Sequence, residues 1–190
     1  MEKKTIVGID IGYHNLGLVK TTISEKGEPT VTLAKRIDLT NLKCPNCTVT
    51  PHTNDVADLV AHFIHQYHDD VLNPADTILL ERQPPGGLTS VEALLLFAYR
   101  SKTVLVSPNS MHKHFGIGVL DYENRKLRTE EIAGDYFTPD LKTYWNQVRK
   151  HDMADAMCMI LYFTHRDREQ YRLRNVPRSS DDTFEKFRLT

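Results

Sequence analysis

Within the first 39 residues lie three β-rich runs, TIVGIDIG, LGLVKTTI and VTLAKRIDL, parted by the turn signals YHN and EKGEP. Connections this short set consecutive strands side by side and antiparallel. The meander constrains everything downstream, because the rest of the chain must cover the sheet it begins. The period then changes. Val56, Leu59, Val60, Phe63, Ile64, Tyr67 and Val71 recur at spacings of three and four, the pattern of an amphipathic helix entered through Asn54 or Asp55. DTILLE, 76–81, is a short apolar run of the buried-strand kind. SVEALLLFAYR, 90–100, is a helix apolar nearly all round, as for one covered on several sides, and KTVLVSP is a fifth strand closed by proline. From 109 to 140 short helical stretches mix with glycines, which predicts a segment partly mobile without a ligand; a helix through HDMADAMCMILYFTH follows. This order predicts an α/β fold, a five-stranded mixed sheet with three antiparallel strands then two parallel, flanked by helices.

No run of eighteen apolar residues occurs in the 190, so a membrane partner is not expected. The start, MEKKTIV, has no apolar stretch ahead of a small-residue cleavage site, and the expectation is an intracellular, reducing setting. Three cysteines, an odd number, argue against a disulfide scaffold. Cys158 sits in an apolar helix and reads as a small core residue. Cys44 and Cys47, in CPNC, and then His52 offer three soft ligands within nine residues, with His62 or His65 as a fourth; structural Zn²⁺ and a surface loop with two free thiols both remain open. Apart from that role, His62, His65 and His68 read as a solvated helix face. The net charge of −1 says nothing about partners. HRDREQYRLRNVPR, 165–178, and NRKLR, 124–128, are basic, suited either to phosphate contact or to plain solvation.

The most telling residue is Asp10, a carboxylate inside an apolar strand, where burial costs several kcal/mol unless the charge is paired or metal-bound. Glu81 closes the fourth strand, at the edge where open sheets gather ligands. Asp152 and Asp155 are three apart, on one face near a helix start. If that helix crosses the sheet, four carboxylates converge, and like charges so close cannot all stay ionised without cations. Hard oxygen donors suit Mg²⁺, with Mn²⁺ substituting, and two such ions per active site activate water and stabilise a leaving oxygen in phosphodiester cleavage. Taken singly, each acid has an ordinary structural reading: strand end, helix cap or surface ion pair.

In this order the residues resemble the RuvC-type Holliday junction resolvases of the ribonuclease H-like superfamily. GIDIGYHNLGLV resembles their opening strand, ILLERQP their glutamate strand, VLVSPNSMHKHFG the strand and helix after it, and KHDMADAMCMIL their closing D-x-x-D-A helix. The form is closest to the poxvirus and fungal mitochondrial resolvases. The resemblance implies a ribonuclease H-like domain over 1–166, with an inserted loop at about 41–53 and a basic tail, 167–190, that has no counterpart. It implies a homodimer that resolves four-way DNA junctions by paired symmetric nicks, with Asp10, Glu81, Asp152 and Asp155 as the catalytic, metal-binding acids. ENRKLR resembles the basic stretch of the viral members, which makes Lys126, with Arg125 or Arg128, the contact to the scissile phosphate. Arg82, Gln83 and Lys113 are further candidates for the DNA backbone. His151 reads either as an aid to water or metal or as a helix-start residue, and Asp135 and Asp140 as surface acids. The viral likeness points to the host-cell cytoplasm or virion of a large DNA virus, ahead of a mitochondrion. The rivals are a nuclease on RNA–DNA hybrid, flap or ribosomal RNA substrates, a non-catalytic junction binder, and an actin-like or sugar-kinase-type nucleotide-binding protein, whose second lobe 190 residues do not accommodate.

Overall fold

Lys4–Asp10 forms the middle strand, β1, of a five-stranded sheet ordered β3-β2-β1-β4-β5 in a computed structural model that describes residues 3–42 and 53–175. β2 (Leu16–Ile23) and β3 (Pro29–Ile37) continue it as an antiparallel meander, while β4 (Thr77–Glu81) and β5 (Thr103–Val106) run parallel to β1 on its other side. The expected three antiparallel and two parallel strands are what forms. Because β1 and β4 are parallel neighbours, with Ile9 opposite Leu80, their carboxyl ends finish at the same sheet edge.

Side-chain alternation divides the sheet between two apolar layers. Val7, Ile9, Leu16, Leu18, Ile78 and Leu80 face α1 (Val56–Tyr67) and α2 (Thr89–Ala98). Ile6, Val19, Ala34 and Leu79 face the other layer, made chiefly by α4 (Tyr122–Gly134) and α6 (His151–Asn175). Two-residue alternation puts Asp10 on the face of Ile6, and Glu81 on the face of Leu79. Both acids therefore point toward α6. The short α3 (Pro108–His114) and α5 (Lys142–Trp145) complete that layer.

α6 lies unusually close to the sheet, and two glycines make this possible. A Cβ on Gly8 would collide with the carbonyl oxygen of Ala156, and one on Gly17 with that of Asp152. Gly17 is also the register partner of Asp10, so the bare backbone of β2 is what admits the start of α6 beside the β1 carboxylate.

The structure departs from the sequence expectations in several places. The stretch 109–140 holds a regular 13-residue helix, α4, whose buried residues are only Thr129 and Ala133. Its packing face is small and partly polar, which erases the apolar periodicity that marks other helices. The regular helix α1 ends at Tyr67, and His68–Leu72 forms a π turn before the chain enters β4. Asp55 stands at the N-cap of α1 without a side-chain cap bond, and Asp58 instead accepts from the backbone N and Oγ1 of Thr53 at 2.6 and 2.7 Å. His62 is buried, and His68 meets the Tyr99 hydroxyl at 2.7 Å, so only His65 of that trio keeps the expected exposure. α2 buries Val91 and Leu95 alone and leaves Phe97 84% exposed, so it is covered on one side rather than several. α6 is longer than the helix read from the sequence, which ends at His165, and continues to Asn175. Cys158 is buried, its thiol donating to the Thr129 carbonyl across 3.8 Å. Cys44, Cys47 and His52 lie outside the described residues. Among the described residues no helix is long and apolar enough to cross a membrane.

Candidate active site

Asp10, Glu81, Asp152 and Asp155 line one open cleft of about 450 Å³. The first two come from adjacent strand ends and the last two from the first turn or so of α6, which the two glycines seat against the sheet. Residues 145 positions apart in sequence are thereby neighbours across the cleft.

The four acids are not equivalent. Asp10 is held well above the usual carboxylate range, first by burial and then by the charges of Glu81 and Asp155. Asp10 and Glu81 stand side by side at the sheet edge, and each bears on the other's ionisation. Burial also raises Glu81, against hydrogen bonds that favour its charge from Gln83 and the backbone of Ile11. Asp155 is pushed up to about 7, again by burial first, with the charges of Glu81 and Asp152 adding to it. Asp152 has a different solution. Both its oxygens are gripped by Arg149, Nε to Oδ2 at 2.7 Å and Nη2 to Oδ1 at 2.9 Å. One guanidinium thus offsets part of the negative charge of this cluster, and the raised acids favour their neutral forms.

Oxygen donors crowded in this way have the hard-ligand chemistry of a Mg²⁺ or Mn²⁺ site. Among the described residues, no three His, Cys, Asp or Glu side chains are already disposed as a metal cage. The carboxylates fit such an ion by donor type and proximity, and a cage requires Arg149 to yield and the raised acids to ionise.

The basic candidates separate on inspection. Arg125 and Lys126 line the cleft from α4, and the Lys126 ammonium rests 3.7 Å from the ring centre of Tyr122, another wall residue. Arg128 points elsewhere and pairs with Glu131 at 2.6 Å. Lys113 is exposed in a shallow hollow of about 390 Å³ that shares His112 and Arg125 with the cleft. Arg82 is exposed beyond the end of β4, and its backbone N donates to the Val106 carbonyl at 2.8 Å. Gln83 is turned inward: its amide donates to Glu81 at 2.6 Å, and its carbonyl accepts from the backbone N of Leu88 at 3.1 Å. It braces Glu81 instead of facing solvent. His151 is half-buried at the cleft wall between Glu130, 3.8 Å away, and Asp152, 3.6 Å away, and burial lowers its pKa. Asp135 and Asp140 are exposed.

Sequence reasoning did not find Arg149, Tyr122, His112 or His14 as cleft residues. Arg149 carried a faint signal, an arginine three residues before an aspartate, but the pair straddles the start of a helix, where the helical neighbour rule is weakest. His14 comes from the β1–β2 turn, His112 from the short α3, and Tyr122 from the start of α4, whose weak periodicity concealed its orientation.

No protein-family model and no curated protein matches the sequence. Solved structures do match. The yeast mitochondrial Holliday junction resolvase Ydc2 aligns with a TM-score of 0.59 at 19% identity, covering 90% of this chain and 86% of its own. Fowlpox virus resolvase in complex with substrate Holliday junction DNA aligns at 0.61 and 17%, covering 85% and 97%. The chain has the fold of the Holliday junction resolvases. Thermus thermophilus RuvC bound to a Holliday junction substrate aligns at 0.50 and 15%, covering 87% and 96%. This fold is the ribonuclease H-like arrangement that the sequence resemblance implied, and in this chain the sheet edge and α6 form the carboxylate cleft.

Proposed function

We propose that the chain is a divalent-metal-dependent endonuclease that resolves four-way DNA junctions by paired symmetric nicks, leaving a 5′-phosphate and a 3′-hydroxyl. The observation that carries this reading is the convergence of four carboxylates from three distant segments in one cleft with a basic wall, on the fold that junction resolvases share. Asp10, Glu81, Asp152 and Asp155 would hold Mg²⁺ or Mn²⁺. When bound, such an ion supplies Lewis acidity, lowering the pKa of an attacking water and offsetting charge on the leaving oxygen.

The chain's own residues do the rest. Gln83 fixes the Glu81 carboxylate, and Arg125 and Lys126 attract and orient the phosphate opposite the acids. Lys113 and Arg82 extend the backbone contacts on either side. Recognition through shape and phosphates makes binding steeply salt-dependent. Paired nicks need two cleavage sites, and the exposed apolar edge of α2 around Phe97 is the homodimer surface we assign.

Gel assays on junction, hybrid, flap and duplex substrates with and without Mg²⁺ test the reading. Junction-selective, Mg²⁺-dependent cleavage is expected, and preference for an RNA–DNA hybrid would transfer the same site to the rival nuclease class. Asp152→Asn is expected to cut cleavage by at least about a hundredfold while junction binding persists.

A further inference from the structure

Arg149 lies in the non-helical link between α5 and α6, lines the cleft, and keeps 39% of its side chain exposed. Its partner is the opposite. Asp152 is 4% exposed, and among the described residues it is the one acid of the four paired with an arginine. A guanidinium fork fits a carboxylate and a phosphate equally well. The neighbouring residue, Val148, is fully exposed, so nothing packs over its side chain.

We propose that Arg149 is a displaceable cation: it holds Asp152 while no divalent ion is bound, and passes to a DNA phosphate once an ion takes that carboxylate. The inference rests on the nuclease reading and deepens it. A dication on Asp152 repels the guanidinium and uses the same oxygens, so the two compete. A phosphate in the cleft gives the released fork a new acceptor. Ion and DNA binding therefore reinforce each other, and by linkage the reinforcement is the same whichever binds first. Loading of the site is thereby reserved for the moment when substrate is present.

Two measurements on Arg149→Gln in the full chain test this. The first is Mn²⁺ titration without DNA, read from the paramagnetic resonance signal of the free ion; affinity is expected to rise about tenfold on losing a competing bidentate charge pair. The second is junction affinity by fluorescence anisotropy, in EDTA and in Ca²⁺, an ion that also takes carboxylate oxygens. In EDTA, where Arg149 is occupied by Asp152, the substitution should leave affinity within about twofold. In Ca²⁺, where Arg149 has moved to the DNA, it should weaken binding about five- to tenfold. Equal weakening in EDTA and Ca²⁺ would make Arg149 a permanent phosphate contact and overturn the proposal. Weaker Mn²⁺ binding would make it a simple brace for Asp152 and overturn it too. Should Arg149→Gln not fold, Arg149→Lys carries the test, with smaller changes of the same sign because one ammonium replaces the fork. If the unaltered chain binds neither Mn²⁺ nor junction, the nuclease reading falls and this inference with it. If it binds both and the substitution changes nothing, only the inference falls.

Discussion

Asp10 is a residue whose position has no purely structural benefit: burial and its acidic neighbours hold its pKa high. The cluster around it is balanced by specific partners, and each partner has a measurable role. Gln83 is the clearest. Its short bond to Glu81 and its bond to the Leu88 backbone fix the strand-end carboxylate against α2, while its own backbone N donates to Glu92 at 2.6 Å. Removing the amide takes away the side-chain hydrogen bond that ties Glu81 to the start of α2, and supporting contacts of this kind commonly carry about ten- to a hundredfold in metal affinity or activity. We therefore expect Gln83→Ala to cleave junctions about tenfold more slowly at limiting Mg²⁺ and to recover at high Mg²⁺. Titration of the cleavage rate against Mg²⁺ checks this; a loss that Mg²⁺ does not relieve would place Gln83 on the DNA instead. At this scale the four acids were legible from sequence, because charge in an apolar strand and paired aspartates at a helix start are local signals. The roles of Gln83 and Arg149 were not, because a brace is defined by what lies opposite it.

At the scale of elements, the approach of α6 to β1 and β2 decides whether a site exists. Gly8 and Gly17 let the helix backbone touch the strands, and Gly17 does so at Asp152 itself. A methyl group at Gly17 meets backbone that cannot rotate away. Overpacking of this kind costs about 1–3 kcal/mol. We expect Gly17→Ala to lower stability by that amount in urea denaturation and to reduce cleavage more than the stability loss alone explains, because the start of α6 and Asp152 move together. Undiminished activity in a folded Gly17→Ala variant would show that the close approach is not needed. The strands and α1 were readable from periodicity. α4 was not, since Thr129 and Ala133 bury too little apolar surface to print a stripe.

At the scale of the whole molecule, crowded acids link stability to pH. Asp10, Glu81 and Asp155 have raised native pKa values, Asp155 to about 7. An acid raised on folding contributes stability that is complete below its unfolded pKa, near 4, and is lost as pH rises through the native value. The half-buried histidines His112, His151 and His165 are lowered instead, and their contribution is lost as pH falls below the ordinary histidine value. The metal-free chain should therefore melt at its highest temperature in weakly acidic buffer and lose melting temperature from about pH 6 to pH 8. Mg²⁺ should restore more at pH 8 than at pH 5.5, and scanning calorimetry with and without it checks both signs. The exposed face of α2 makes a second molecular prediction. Phe97→Asp should shift the chain toward monomer in sedimentation velocity and uncouple the paired nicks, leaving single-strand cuts in their place. An unchanged sedimentation coefficient would locate the dimer surface elsewhere.

The sequence by itself marked the antiparallel meander, the two further strands and the helices that flank the sheet, and it singled out four candidate acids, because each is written in local period, turn chemistry or charge placement. The tertiary structure decided which side chains balance those acids: Arg149 on Asp152 and Gln83 on Glu81. It also separated Arg125 and Lys126, which face the cleft, from Arg128, which does not. The physical reason is range. Backbone preference acts over a few residues, whereas the electrostatics of a buried cluster depend on distances set only after a helix from the end of the chain has docked against strands from its beginning.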